Sequence, residues 1–149
     1  MKLELNHLAS HAINGGKLRC LDDNNMWYDD SIKSINFLNE TIYTKEGCSI
    51  DASDFGDFAF MVKRPLSDLT KEIQVNGNKF VPIEKINRTH PEYPIEIDEN
   101  TVFFTDACEL NMLEMTEIYS IFQKLLEWHF DINGLIGKGW AIDINTLSK

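Results

Sequence analysis

The chain has 149 residues, 43% of them apolar and 26% charged, with 8 Gly and 4 Pro. That balance excludes whole-chain disorder and fits one compact domain over residues 1–149. Fourteen Lys and Arg stand against 24 Asp and Glu, a net charge of −10, which argues against direct nucleic-acid binding, since affinity for a phosphate backbone comes from cations that displace its counterions. Cys20, Cys48 and Cys108 are odd in number and far apart, so neither a disulfide framework nor a cysteine zinc site is expected. No uncharged apolar run reaches the length of a signal peptide or membrane span, so the expected location is cytoplasmic, without membrane contact.

In chain order, the first half reads as short strands: Lys17 to Leu21, Ser31 to Leu38 and Thr41 to Lys45, in which β-branched and aromatic residues alternate loosely with polar ones. Asp22-Asp23-Asn24-Asn25 reads as a loop tip and Asn39-Glu40 as a hairpin break. Gly56 to Lys63 reads as a strand covered on both sides, with Phe58, Phe60 and Val62 on one parity and Ala59 and Met61 on the other. Pro65 stops that strand, and Ser67-Asp68 caps a short helix from Leu69 to Ile73. Asn76-Gly77, where both residues tolerate positive φ, turns the strand Ile73 to Val75 back into Lys79 to Val81. Pro82 opens a short helix through Ile86, and His90 to Pro94 is a loop. Ile95 to Ile97 and Thr101 to Thr105 form a further hairpin around Asp98-Glu99-Asn100.

The clearest helix runs from Glu117 to Phe130, with Thr116 as its cap and Ile118, Phe122, Leu125, Leu126 and His129 or Phe130 on its apolar side. The opposite side is thin in polar residues, so the helix is expected to lie deeply against the sheet and to end at Asn133-Gly134. Together these elements make an α+β fold: a small antiparallel meander sheet packed against one main C-terminal helix plus short helices.

Arg64-Pro-Leu-Ser-Asp-Leu-Thr-Lys-Glu-Ile73, Lys79-Phe-Val-Pro-Ile83, Leu126-Glu-Trp-His-Phe-Asp-Ile-Asn-Gly-Leu-Ile136 and Ala141-Ile-Asp-Ile-Asn-Thr-Leu147 are distinctive as text. With Leu3-Glu-Leu-Asn-His-Leu8 and the strand Lys17 to Leu21, they resemble a family of small proteins encoded in phages and prophages of Bacteroidetes-type bacteria. The resemblance covers most of the chain apart from a divergent acidic middle, about Asn87 to Met112. It implies a phage or prophage origin and brings no activity, cofactor or catalytic residue with it.

Local chemistry is sparse. His7 and His11 stand four apart, as metal ligands on one helix face do, but Asn14-Gly15-Gly16 directly afterwards argues against a helix there, and zinc needs three or four ligands. Asp51-Ala-Ser-Asp-Phe-Gly-Asp57 has the spaced acids and sixth-position Gly of a calcium loop, yet Phe55 and Val62 stand where oxygen donors are required, so it reads as an acidic loop. Gly134-Leu-Ile-Gly-Lys-Gly139 lacks the spacing and the Ser or Thr of a phosphate cradle and reads as a tight return that folds Trp140 onto the core. Trp128, His129 and Phe130 are expected to be mostly buried. Nucleophile-elbow and metalloprotease motifs are missing from the chain.

Charge is the stronger signal. Between Thr89 and Gln123 there is no Lys or Arg, whereas Glu92, Glu96, Asp98, Glu99, Asp106, Glu109, Glu114 and Glu117 supply eight acids. A concentrated negative field speeds encounter with a basic surface, although a merely solubilising face has the same composition. Taken with the resemblance, the expected function is that of a phage-encoded, non-enzymatic binding protein that inhibits a host defence complex: an anti-CRISPR protein acting on an RNA-guided nuclease. Glu92, Glu96, Asp98, Glu99, Glu109, Glu114 and Glu117 then meet Lys and Arg of a guide or target channel, with Tyr93, Phe103 and Phe104 as aromatic anchors. No catalytic residue, metal or cofactor is expected. The expected partner is a host nucleic-acid-targeting effector protein, with or without guide RNA, engaged by a monomer or dimer in the cytoplasm of the infected bacterium. Two alternatives stand beside it: a self-associating phage morphogenesis or replication accessory protein that uses Trp140 to Leu147 as an edge strand, and a small metal-dependent hydrolase or nuclease whose residues meet only on folding.

Overall fold

The computed structural model describes the backbone of residues 5–98, 101–104 and 112–147 and the side chains of residues 8–9, 11–98 and 116–147. In chain order its elements are α1 (Leu5–Ile13), β1 (Lys17–Leu21), β2 (Trp27–Asn36), β3 (Thr41–Thr44), β4 (Ser49–Asp51), β5 (Ala59–Lys63), β6 (Ile73–Val75), β7 (Asn78–Phe80), α2 (Pro82–Thr89), β8 (Ile95–Asp98), β9 (Thr101–Phe104), α3 (Met112–Glu127) and β10 (Ala141–Asp143), with 3-10 helices at Ala52–Asp54, Leu66–Thr70 and Ile144–Thr146. The fold is α+β with one main C-terminal helix, α3. Contacts divide the chain into two units, Met1–Arg64 with Asp131–Lys149, and Pro65–Phe130.

The first unit is built on a six-stranded sheet in the order β10-β5-β1-β2-β3-β4. The strands are antiparallel except β10, which returns after the second unit to lie parallel to β5, with Ala141 opposite Met61 and Asp143 opposite Lys63. Leu18 and Cys20 of β1, Ile32 of β2, Ile42 of β3, Ile50 of β4 and Met61 of β5 share one core with Leu8 of α1, Leu135 and Ala141. Since β1 and β4 stand three places apart in the sheet yet meet in that core, the sheet curls, helped by a shift in the β2–β3 register between Ile32 and Ser34. Each such aliphatic side chain, fully buried, contributes about 1.5–3 kcal/mol.

Several boundaries differ from the sequence reading. α1 does form: Gly15, at φ +67, ends it rather than preventing it, since Gly16 N–H donates to His11 O (2.8 Å) and Gly15 N–H to Ala12 O (3.0 Å). A side chain at Gly16 would collide with the His11 ring, which is buried. β2 begins at Trp27, four residues before the expected Ser31, because the whole of β1 pairs antiparallel with Trp27–Ser31; Arg19 also meets Asp29 at 2.8 Å across the ladder. β5 begins only at Ala59, leaving Phe58 outside the strand and 57% exposed; within it Met61, Val62 and Lys63 are all buried, as a strand covered on both faces requires.

In the second unit Pro65 precedes a 3-10 helix at Leu66–Thr70, so the helix expected from Leu69 to Ile73 is of the same length but starts three residues earlier and contains Ser67-Asp68 instead of being capped by them. Asp68 is buried and joined to Lys71 at 2.7 Å. Asn76 (φ +51) and Gly77 (φ +82) make the predicted tight turn between β6 and β7. Asn87 of α2 clamps the start of β8, its amide donating to Ile95 O (3.1 Å) and its carbonyl accepting from Ile95 N (2.8 Å). Ile73, Ile86, Ile95, Ile121, Leu125, Trp128 and Phe130 are buried. α3 starts at Met112, so Thr116 lies inside it and is not its cap. Its buried stripe is Ile121 and Leu125, continued just past its end by Trp128, while Phe122 is 43% and Tyr119 64% exposed, which corrects the expectation of a deeply sunk helix. The helix ends at Glu127 and is capped at His129, not at Asn133-Gly134: His129 takes φ +62, its N–H donates to Leu126 O (2.9 Å), and Phe130 N–H donates to Leu125 O (2.9 Å).

Candidate functional site

The acidic stretch falls in the second unit. Alternation along β8 sends Ile95 into the core and leaves Glu96 and Asp98 exposed on one face of the β8–β9 hairpin. Glu92 is exposed in the preceding loop, and Glu117 is exposed on the second turn of α3. His90, at the end of α2, places Nε2 3.4 Å from Glu117 Oε2 and 3.4 Å from Ser120 Oγ. Among the described residues no Lys or Arg forms an ion pair with Glu92, Glu96 or Asp98, so their charge is displayed to solvent.

The anchors divide. Tyr93 is half-buried rather than freely projecting. The β8–β9 register puts Phe103 opposite Glu96 and Phe104 opposite Ile95. Glu99 and Glu109 lie outside the described residues, as does Thr105 at the expected end of the hairpin, and Glu114 is described only as a backbone position of α3. Four of the seven predicted acids, Glu92, Glu96, Asp98 and Glu117, are therefore placed on the surface of one unit.

Other sequence candidates have structural occupations. His11 is buried in α1, 2.8 Å from Lys17 O through Nε2; the His7 side chain lies outside the described set. In the acidic loop Asp54 Oδ2 accepts from Asp51 N (3.2 Å), closing the 3-10 helix, and Asp51 Oδ1 accepts from Thr41 Oγ1 (3.1 Å). Asp131 organises the glycine-rich return, accepting from Leu135 N and Ile136 N at 2.8 Å each, and Trp140 packs against the core as expected. Trp128 and Phe130 are buried. Among the described residues no three His, Cys, Asp or Glu side chains converge as metal ligands, and no helix is long and apolar enough to cross a membrane.

Two features of the first unit carry no sequence signal. Lys63 is buried, 2% exposed, and burial pulls its ammonium down from an ordinary 10.5 to about 8 against the opposing charge of Asp131. At one end of the curled sheet, Tyr28 Oη donates to Cys48 Sγ at 3.2 Å, and Cys20 is the cross-strand partner of Tyr28. Burial, then the Asp30 charge, pushes the Cys20 thiol up to about 11; the Cys48 contact is the main cause of the upward shift at Tyr28. Cys20 and Tyr28 meet as neighbours in the β1–β2 ladder, and Cys48 joins them through the curl of the sheet, so neither spacing nor motif announces the three.

Comparison with protein-family models, with curated proteins and with solved structures found no match to this chain.

Proposed function

We propose that this chain is a non-enzymatic binding protein that docks, through the acidic surface of its second unit, on a basic surface of a nucleic-acid-handling complex and blocks it. The observation that carries the reading is that Glu92, Glu96, Asp98 and Glu117 are exposed within a stretch, Thr89 to Gln123, that has no Lys or Arg of its own. Such a field accelerates encounter with a cationic groove and repels nucleic acid itself. With the resemblance to phage and prophage proteins, the partner favoured is a host defence effector, an RNA-guided nuclease whose guide–target channel is positively charged; the protein then acts as an anti-CRISPR inhibitor in the infected bacterium. The test is a cleavage assay with programmed RNA-guided nucleases of several types. The proposal expects cleavage by at least one to be blocked, with inhibition weakening as salt rises; cleavage unaffected in every type contradicts it.

A second reading rests on β10, three residues at the open edge of the six-stranded sheet. A phage assembly or replication accessory would pair such an edge with a second copy. A large symmetric oligomer in solution favours that reading over the inhibitor.

A further inference from the structure

The end of the first unit where the β1–β2 loop, the β3–β4 turn and the segment before β5 meet carries a surface that the proposed function does not use. It holds a cleft of about 610 Å³ lined by Cys20, Tyr28, Cys48, Ile50 and Phe58 among others, with Asp22, Asp23 and Asp54 as its charged groups and no Lys, Arg or His. Asp22 Oδ1 accepts from Asn24 N (2.9 Å) and Met26 N (2.8 Å), which fixes the loop. Among the described residues none of the three carboxylates has a cationic partner. Asp30, 6% exposed and with no hydrogen-bond partner at Oδ2, lies outside the cleft in a separate hollow with Lys17 and Lys45, although its charge is felt at Cys20 and Tyr28 in the cleft wall.

Beside this negative hollow the surface is apolar. Met26 is 65% and Trp27 41% exposed. Leu21 stands opposite Trp27 in the ladder and its N–H donates to Phe58 O (2.9 Å), so Trp27 and the exposed Phe58 flank one residue. Trp27 also stacks on Phe60, ring centroids 5.7 Å apart. Strand alternation sets Trp27 and Phe60 on the sheet face opposite Cys20 and Tyr28; at the mouth of the cleft the exposed apolar groups are Phe58, in its lining, and Met26, whose N–H donates to Asp22 Oδ1. A cationic head on an aliphatic stem suits both halves: carboxylates and aromatic faces attract the charge, and the apolar rim covers the stem. Phosphate and carboxylate groups are repelled.

We propose that this end of the first unit docks a lysine- or arginine-bearing segment of a partner protein, the cationic head lying among Asp22, Asp23 and Asp54 and its apolar neighbours on Met26 and Phe58. This goes beyond the function proposed above, uses different residues, and stands whether or not the acidic stretch of Pro65–Phe130 is engaged.

Cys48, exposed and in the cleft wall, is a built-in reporter. Intact protein is alkylated with N-ethylmaleimide, and the Cys48 peptide is quantified by mass spectrometry, with and without the probe acetyl-Leu-Lys-Leu-Arg-Leu-Lys-Leu-amide. The proposal expects saturating probe to slow Cys48 alkylation about tenfold or more, with the same peptide carrying Glu for each cation giving no protection. Asp23→Asn and Phe58→Ser, both at exposed positions, each weaken the probe Kd by about fivefold or more, in line with loss of a contact worth about 1 kcal/mol. Reversing Glu96 and Asp98 to Lys leaves protection intact. The proposal is overturned if the probe fails to protect Cys48, if the Glu peptide protects equally, if spermidine protects as well as the peptide and so marks a small-cation site, or if protection is lost with the Glu96 and Asp98 reversals.

Discussion

The two units differ in the charged groups that they bury. In the first, ionisable groups are drawn inside: His11, Asp30, Lys63 and Asp131 are all buried, and Asp131 is consumed in holding two backbone N–H groups. In the second, Asp68 is the one buried acid among the described residues, while Glu92, Glu96, Asp98 and Glu117 stand outside. A charge taken out of water must be compensated to keep the fold, so it is a structural element; a charge left in water contributes little to stability and is free to act on a partner. Substitutions of these buried groups of the first unit should therefore move stability, and those of the exposed acids of the second should move binding.

The largest effect is expected at Asp131. Asp131→Ala leaves Leu135 N–H and Ile136 N–H without acceptors and Lys63 without its counter-charge, a loss of about 3–5 kcal/mol that denaturant titration would measure. Lys63→Met works in the other direction. A lysine held at about 8 instead of 10.5 corresponds to a burial cost of about 3 kcal/mol, so the substitution should stabilise the protein at pH 7 by about 1–3 kcal/mol, reduced by what Asp131 loses. The sign also sets a pH dependence. Below about 8 the amine is charged in both states and the cost is complete; as pH rises from about 8 towards 10.5 the folded state sheds the proton first and stability climbs. Cys20, raised to about 11, opposes this rise from about pH 9, where the unfolded thiol ionises. The unfolding midpoint should thus increase between about pH 8 and pH 9 in the native protein, and this increase should vanish in Lys63→Met. Gly16→Ala, which drives a methyl group into the His11 ring, should cost about 1–3 kcal/mol by calorimetry. Glu96→Lys and Asp98→Lys should change stability by no more than about 0.5 kcal/mol.

What the sequence disclosed follows the range of the interactions involved. The bounds of β1, the Asn76-Gly77 turn and the role of Pro82 at the head of α2 rest on neighbours a few residues apart, and all were legible. The end of α3 was not, because a histidine takes the left-handed cap position that glycine normally announces, and Asn133-Gly134 serves the return organised by Asp131 instead. Ile121, Leu125 and Trp128 form the buried stripe, whereas Phe122 looked equally apolar as text. The division into units was hidden because the first is completed only after residue 130, when β10 returns beside β5. The same holds for the cleft: Cys48 reaches Tyr28 from twenty residues away through the curl of the sheet. The acids of the second unit were legible as composition, and the exposure of Glu96 and Asp98 follows from strand alternation along β8.

The central claim is that the exposed carboxylates of the second unit serve a partner and not the fold. Its most direct test is one variant, Glu92→Lys with Glu96→Lys, Asp98→Lys and Glu117→Lys, read by thermal unfolding and by inhibition of the nuclease that the proposed function expects the native protein to block. The account predicts a melting temperature close to that of the native protein together with loss of inhibition. Full inhibition by the folded variant would contradict it.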